Sequence, residues 1–231
     1  MDPCLNRIVP MTTDASTAVV PYARVDELGS CLVHGLAVGL SIAGLVVLVM
    51  KATSYGGPVA VFASVLYGAT LIFLFSASTL YHAFQHRSAH ALLRTLDHLG
   101  IYWLIAGTYT PFALIAVPGV WGVSLFSVIW LLAIAGSVLE LGILQRYHHA
   151  AVFMYVAMGW GAIAAFQPLA AHVPKAGLML LVAGGVAYTA GVPFYLAKRL
   201  PFHHSLWHLF VLAGSVLHYF AVFLYVLPRP A

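Results

Sequence analysis

Two long stretches without a formal charge constrain the fold of this chain of 231 residues more than any other feature. No Asp, Glu, Lys or Arg lies between Lys51 and Arg87, nor between Asp97 and Glu140. Charged residues make up only 7% of the chain, whereas soluble domains carry about 25%. Such a chain cannot cover a surface that faces water. The sequence therefore predicts an all-α integral membrane protein.

The charged and turn residues divide the chain into seven predicted helical spans. Each span is long enough to cross a hydrocarbon core of roughly 30 Å, which takes about 20 helical residues. Pro118 and Gly119 supply the turn that separates the third span from the fourth within the uncharged stretch. The predicted spans cover residues 29–50, 59–82, 97–117, 120–143, 149–170, 176–197 and 204–227.

Residues 25–231 are predicted to form one transmembrane domain of seven helices, after a loosely ordered cytoplasmic tail of residues 1–24. The tail lacks the basic start and short apolar stretch of a secretory signal. Basic residues in short loops remain on the cytoplasmic side, which predicts a cytoplasmic N-terminus and an extracytoplasmic C-terminus. That orientation puts seven basic residues inside (Arg7, Arg24, Arg87, Arg94, Arg146, Lys198 and Arg199) and three outside (Lys51, Lys175 and Arg229).

This topology brings polar residues that are far apart in sequence to the cytoplasmic side. His82 ends the second span, Asp97 and His98 begin the third, and His204 and His208 begin the seventh. His204 and His208 lie one turn apart on one helix face, with β-carbons about 6 Å apart. Three imidazoles beside a carboxylate are the ligand set of an open catalytic zinc site. Calcium and magnesium prefer oxygen ligands, whereas ligand type alone leaves copper open.

The individual motifs have ordinary alternatives. A lone pair of histidines one turn apart on a membrane helix is weak evidence for a metal, and His203 is predicted to be interfacial. His218, deep in the seventh span, is predicted to be packed and hydrogen-bonded. The metal prediction depends on convergence, because ionisable groups in lipid are costly and usually functional. The remaining histidines are predicted to lie solvated in loops: His86, His90, His148, His149 and His172.

Other metal sites and partners are not predicted. Cys4 and Cys31 form no CxxC pair, which excludes a cysteine-rich zinc site. The net charge is only +4 and the basic residues are scattered among loops, so no nucleic-acid partner is predicted. The sequence leaves the oligomeric state open.

Three segments contain Asp97 and the histidines of the predicted site: "STLYHAF" at 78–84, "LDHLGIYWLIAGTYTPF" at 96–112 and "HHSLWHLFVLAGSVLHYFAV" at 203–222. These segments resemble the bacterial hemolysin III branch of the progestin and adipoQ receptor family. The resemblance implies that zinc is the cofactor and that His82, His204 and His208 bind it. It further implies that Asp97 holds the water at the zinc and that Ser78 lies beside that water.

The first motif of that family is present with one change. It reads "ELGSCLVH" here, with Glu27 and His34 in place and Ser30 where the family has Asn. We expect Glu27, His34 and His98 to surround the metal ligands without binding the metal. Cys31, one turn from Glu27 and from His34, is an alternative soft ligand.

The resemblance implies several functions, all in the bacterial inner membrane. Zinc lowers the pKa of a bound water from about 15.7 towards 7, and with Asp97 as base this chemistry would hydrolyse an amide or ester. A site inside a helical bundle near the interface would take a membrane lipid as substrate or ligand, by analogy with the ceramidases of the wider superfamily. The alternative is a receptor-like role in membrane-lipid homeostasis with a structural zinc. Cytolysis is less expected, because seven apolar spans without a visible export signal do not match a released toxin.

Overall fold

A computed structural model describes residues 20–84, 88–142 and 147–228, with only the backbone at 20–23 and 148. All regular structure in these residues is helical. Short turns of π or 3-10 geometry extend or interrupt three of the spans: Phe112–Ala116 after α3, Gly161–Ala165 between α5 and α6, and Val222–Val226 after α8. The helices are α1 (Val20–Tyr55), α2 (Gly57–Ala83), α3 (His90–Pro111), α4 (Gly119–Glu140), α5 (His148–Trp160), α6 (Phe166–His172), α7 (Lys175–Leu196) and α8 (His203–Ala221).

The prediction of seven membrane spans is confirmed for the described residues. Two spans begin about two turns earlier than predicted: α1 at Val20 rather than at residue 29, and α3 at His90 rather than at residue 97. The other spans begin within two residues of the predicted starts. Charged residues were used as boundaries, but a helix continues its backbone hydrogen bonds past the apolar core into the polar interface. Residues 1–19, which make up most of the predicted tail, lie outside the described residues.

Four of the histidines assigned to loops belong to helices instead. His90 begins α3, His148 begins α5 with His149 next to it, and His172 ends α6. His149 and His172 are nevertheless exposed, and His172 Nδ1 lies 2.8 Å from the Pro168 carbonyl oxygen. Helix ends reach the interface, so a histidine there can be both helical and exposed. His86 lies outside the described residues, as do four basic residues used for the orientation (Arg7, Arg87, Arg146 and Arg229).

The fifth span is interrupted by the 3-10 turn Gly161–Ala165. Tyr109 of α3 holds this turn, because its hydroxyl accepts a hydrogen bond from the Ala162 N–H at 2.6 Å and donates one to the Gly159 carbonyl at 2.8 Å. These bonds satisfy polar groups that the break removes from the helical ladder, as a lipid environment requires.

The helices form a ring in which neighbours along the chain pack against each other and α8 closes back on α1. Gly29 lies at this closure, where an added β-carbon would be 2.5 Å from the Ser205 Oγ. Small residues allow membrane helices to approach this closely. Successive spans run in opposite directions, so the ends of α2 and α4 and the starts of α1, α3 and α8 lie at one end of the bundle. We call it the histidine end.

Candidate metal centre

Three histidines at the histidine end form a group that can hold a metal ion. One ring nitrogen from each of His82, His204 and His208 lies within 4.8 Å of the others. The Nε2 atoms of His82 and His208 are 3.0 Å apart, and the His204 and His208 ring centroids are 4.6 Å apart. His82 and His208 are buried. Within the described residues, no other group of histidine, cysteine or carboxylate ligands of this kind is found.

Glu27 of α1 holds His82 from the side away from His208. Its Oε2 lies 2.5 Å from His82 Nδ1, and the His82 side chain is only 1% exposed. A hydrogen bond from Nδ1–H to this carboxylate places the lone pair on Nε2, which faces His208. Metal-binding histidines are usually held in this way, because the carboxylate fixes the tautomer and makes the ring a better ligand.

His34 of α1 packs directly on the group. Its ring centroid is 3.8 Å from that of His208 and 4.9 Å from that of Phe75. The residue is buried, and neither ring nitrogen has a hydrogen-bond partner among the described residues. His34 therefore contacts His208, and its own two ring nitrogens are left without a hydrogen bond to a described residue.

Asp97 and Ser78 lie beside the histidines and are buried. Asp97 is close enough to interact electrostatically with His82 and also lies near Ser78. The Ser78 Oγ makes no hydrogen bond of normal geometry to a described residue. The structure therefore brings together a carboxylate and a hydroxyl next to three imidazoles.

His98 points to a different partner. Its Nδ1 lies 2.9 Å from Oε1 of Glu140, the last residue of α4, and Glu140 is 1% exposed. Glu140 was not among the predicted site residues. Its position directly after the uncharged stretch was a signal, because a carboxyl group at the end of an apolar span needs a partner.

Asp26 was also missed, although it lies next to Glu27. Its Oδ1 accepts a hydrogen bond from the Ser205 N–H at 2.8 Å, and its Oδ2 lies 3.3 Å from the His204 nitrogen. Asp26 thus caps the start of α8 from α1, where the side chain of the preceding Phe202 makes no cap and the Phe202 backbone is left-handed at φ 56°. This cap positions the turn that carries His204.

The remaining candidates have no place in the group. Cys31 Sγ lies 3.7 Å from the Thr79 carbonyl oxygen and is not a member of it. His203 is half-buried, with its ring centroid 5.9 Å from that of His204. His218 is buried and its Nε2 lies 2.9 Å from the Leu181 carbonyl oxygen, which confirms the prediction of a packed, hydrogen-bonded residue.

A cavity of about 1190 Å³ opens beside the group. His34, Asp97, His204 and His208 line it together with many aliphatic and aromatic side chains from α3, α5, α6, α7 and α8. Ligand pockets in proteins usually measure about 300–1,000 Å³ and are mostly apolar with a few polar groups. The cavity is therefore large enough for a long apolar ligand and exposes it to the polar group.

Comparisons with known proteins identify the family. The family model described as "Haemolysin-III related" matches residues 22–219. Hemolysin-3 of Bacillus cereus is 40% identical over 216 residues, which cover 94% of this chain and 98% of the relative. The hemolysin-3 homolog of Bacillus subtilis is 39% identical over 205 residues, covering 89% and 96%. The human monocyte to macrophage differentiation factor is 30% identical over 173 residues, covering 71% of each chain. This chain belongs to the haemolysin-III-related family of membrane proteins.

Proposed function

We propose that this protein is a zinc-dependent hydrolase of amide or ester bonds in membrane lipids, in the plasma membrane of a bacterium. The observation that carries the proposal is the opening of a three-histidine group into a large apolar cavity. A purely structural metal has no need of such a cavity, because structural sites are closed on all sides. Imidazole ligands suit zinc, and the buried nitrogen pair of His82 and His208 at 3.0 Å fits two ligands that converge on one ion.

The residues of the chain have distinct tasks in this reaction. His82, His204 and His208 would hold zinc, which when bound would supply a Lewis acid and make water more acidic. Asp97 takes the proton of the attacking water, because it is the only carboxyl group among the described residues that line the cavity. The water oxygen bonds to the acyl carbon, and the proton passes to the leaving amine or alcohol as the bond to that carbon breaks. The Ser78 hydroxyl donates a hydrogen bond to water or substrate.

The decisive experiment separates the base from the metal ligands. Purified zinc-loaded protein is incubated with membrane lipids, and the products are followed by mass spectrometry. Asp97→Asn keeps shape and hydrogen-bonding capacity but removes the base, so we expect a rate loss of about 10²-fold to 10⁴-fold with zinc and thermal stability retained. Ser78→Ala costs less, because one hydroxyl contributes one hydrogen bond.

Two controls make the result specific. Asp26→Asn is the same substitution at the same end of the bundle, and asparagine caps helices as well as aspartate does, so its rate remains near that of the wild type. We expect wild-type protein to carry about one zinc per chain at roughly 2.0–2.1 Å from histidine nitrogens, and the His82, His204 and His208 triple alanine variant to carry none. Full zinc content in the triple variant contradicts the metal site.

The same experiment refutes hydrolysis if the removal of the base in Asp97→Asn leaves the activity unchanged. An Asp97→Asn variant with unchanged lipid-linked activity, beside histidine variants that only unfold, identifies the zinc as a structural clamp between spans. The receptor-like role in lipid homeostasis then replaces the hydrolase.

A further inference from the structure

We propose that the cavity binds a phospholipid with an anionic head group, with the phosphate at Lys198 and Arg199 and an acyl chain along α7. The proposal rests on the proposed function in taking this cavity as the substrate site. It adds the class of lipid, which the histidine group does not determine.

The cavity runs along the whole length of α7. Nine residues of α7 line it, and six of them recur at helical spacing on one face: Leu178, Leu181, Gly185, Tyr188, Val192 and Tyr195. At 1.5 Å per residue, the lining residues of α7 from Leu178 to Leu196 extend over about 27 Å, close to the roughly 30 Å of a hydrocarbon core. One acyl chain spans about half of the hydrocarbon core, because two leaflets share it, so such a chain fits along α7 with its long axis parallel to the helix.

The charge of the lining is uneven. Arg94, Lys198 and Arg199 line the cavity at the histidine end, whereas Asp97 is the only carboxyl group that the described part of the chain contributes to the lining. Lys198 and Arg199 are exposed just beyond the end of α7, and no described carboxylate forms an ion pair with either of them. The opening of the cavity at the histidine end therefore carries exposed basic residues, whereas its interior is apolar. We call Lys198 and Arg199 at this opening the cationic rim.

A phosphate fits this rim better than an uncharged head group. A guanidinium group binds phosphate oxygens through two parallel hydrogen bonds, and an adjacent ammonium adds a point charge. His204 and His208 line the same cavity as the rim. In a phospholipid the ester bonds of the acyl chains lie next to the head group, so a phosphate bound at the rim brings an ester bond towards the histidines.

The test measures binding without turnover, through Trp207, which lines the cavity one turn after His203. The full chain is placed in phosphatidylcholine nanodiscs with a small fraction of lipid that carries brominated acyl chains, which quench nearby tryptophans. The fluorescence quenching that is present in the wild type and absent in Trp207→Phe is assigned to Trp207. We expect brominated phosphatidylglycerol to quench Trp207 at a mole fraction about 30-fold lower than brominated phosphatidylcholine, because each basic residue contributes about fivefold.

Charge variants test the residues. The double variant Lys198→Gln, Arg199→Gln is expected to lose the preference for phosphatidylglycerol. The exchange Lys198→Arg, Arg199→Lys keeps both charges and is expected to keep most of that preference. Lys175→Gln is the matched control, because Lys175 is an exposed lysine at the opposite end of α7 and does not line the cavity. A preference that survives the double variant, or that falls equally in Lys175→Gln, overturns the proposal.

A further arm distinguishes the anion. Brominated stearic acid carries a carboxylate instead of a phosphate. If only the fatty acid shows the preference and phosphatidylglycerol does not, the phospholipid assignment is wrong and the rim binds a free fatty acid.

Turnover is measured separately, so that the two proposals can fail independently. Binding of phosphatidylglycerol at the rim without hydrolysis of any lipid refutes the hydrolase and leaves the head-group site standing. Hydrolysis of neutral and anionic lipids at equal rates, without a binding preference, refutes the head-group site and leaves the hydrolase standing.

Discussion

The contact between Glu27 and His82 gives the sharpest test of the metal centre. Glu27 Oε2 lies 2.5 Å from His82 Nδ1, across the interface between α1 and α2. Glu27→Gln keeps the length of the side chain and one oxygen acceptor but removes the negative charge. The His82 ring keeps its orientation in this variant, but its Nε2 becomes a weaker ligand because no carboxylate polarises the ring.

The expected size of the effect follows from the exposure of the two groups. Loss of a carboxylate behind a metal-binding histidine typically costs about 10-fold to 100-fold in metal affinity. The Glu27 side chain is 35% exposed whereas that of His82 is 1% exposed, so water already screens part of the charge. We therefore expect about a tenfold loss of zinc affinity in Glu27→Gln, and a larger loss in Glu27→Ala, which also removes the acceptor.

Competition with a chromophoric zinc chelator near pH 7 measures the affinity of the purified chain. Asp26→Asn is the matched control, since Asp26 is the neighbouring carboxylate but bonds the backbone of α8 rather than a ring. We expect its zinc affinity to stay within about twofold of the wild type. Equal affinities in Glu27→Gln, Glu27→Ala and the wild type would refute the inference that Glu27 supports a metal ligand.

Three further predictions address stability and topology. Asp26→Ala should lower the free energy of unfolding by about 1 kcal/mol through loss of the cap on α8, and Asp26→Asn should restore it; equal thermal unfolding of both variants would contradict the cap. Glu140→Ala should cost about 1–3 kcal/mol because the His98 Nδ1–H loses its acceptor, whereas Glu140→Gln should retain most of the stability; if both variants unfold alike, the charge matters and not the hydrogen bond. A reporter active only outside the cytoplasm should be active when fused after Ala231, and activity of a cytoplasmic reporter there would reverse the orientation.

The sequence alone was sufficient for the number of spans and for the convergence of the histidines. Uncharged stretches such as the one between Asp97 and Glu140 leave only membrane helices as a solution, because backbone groups in lipid must bond internally. Alternation of direction then places the end of α2 and the starts of α3 and α8 together. His204 and His208 share a face through helical spacing alone.

The tertiary structure decided which side chains touch. The contacts of Glu27 with His82, of Asp26 with α8 and of His98 with Glu140 all join different helices. They depend on the rotation of each helix about its own axis, which helical periodicity leaves undetermined. In lipid that rotation is set by close packing of small residues such as Gly29 and by interhelical hydrogen bonds, not by a hydrophobic effect that a sequence pattern would reveal.

The cavity likewise came only from the assembled ring. Along α7 and α5 the lining residues resemble any other apolar stripe of a membrane helix, so the sequence does not distinguish a packed face from a face that lines empty space. The 3-10 turn at Gly161–Ala165, which bonds to Tyr109, interrupts the fifth span beside this cavity. Sequence therefore determined the membrane helices and the depth of the polar residues, whereas the packing of the ring decided their partners and left the space that a ligand can fill.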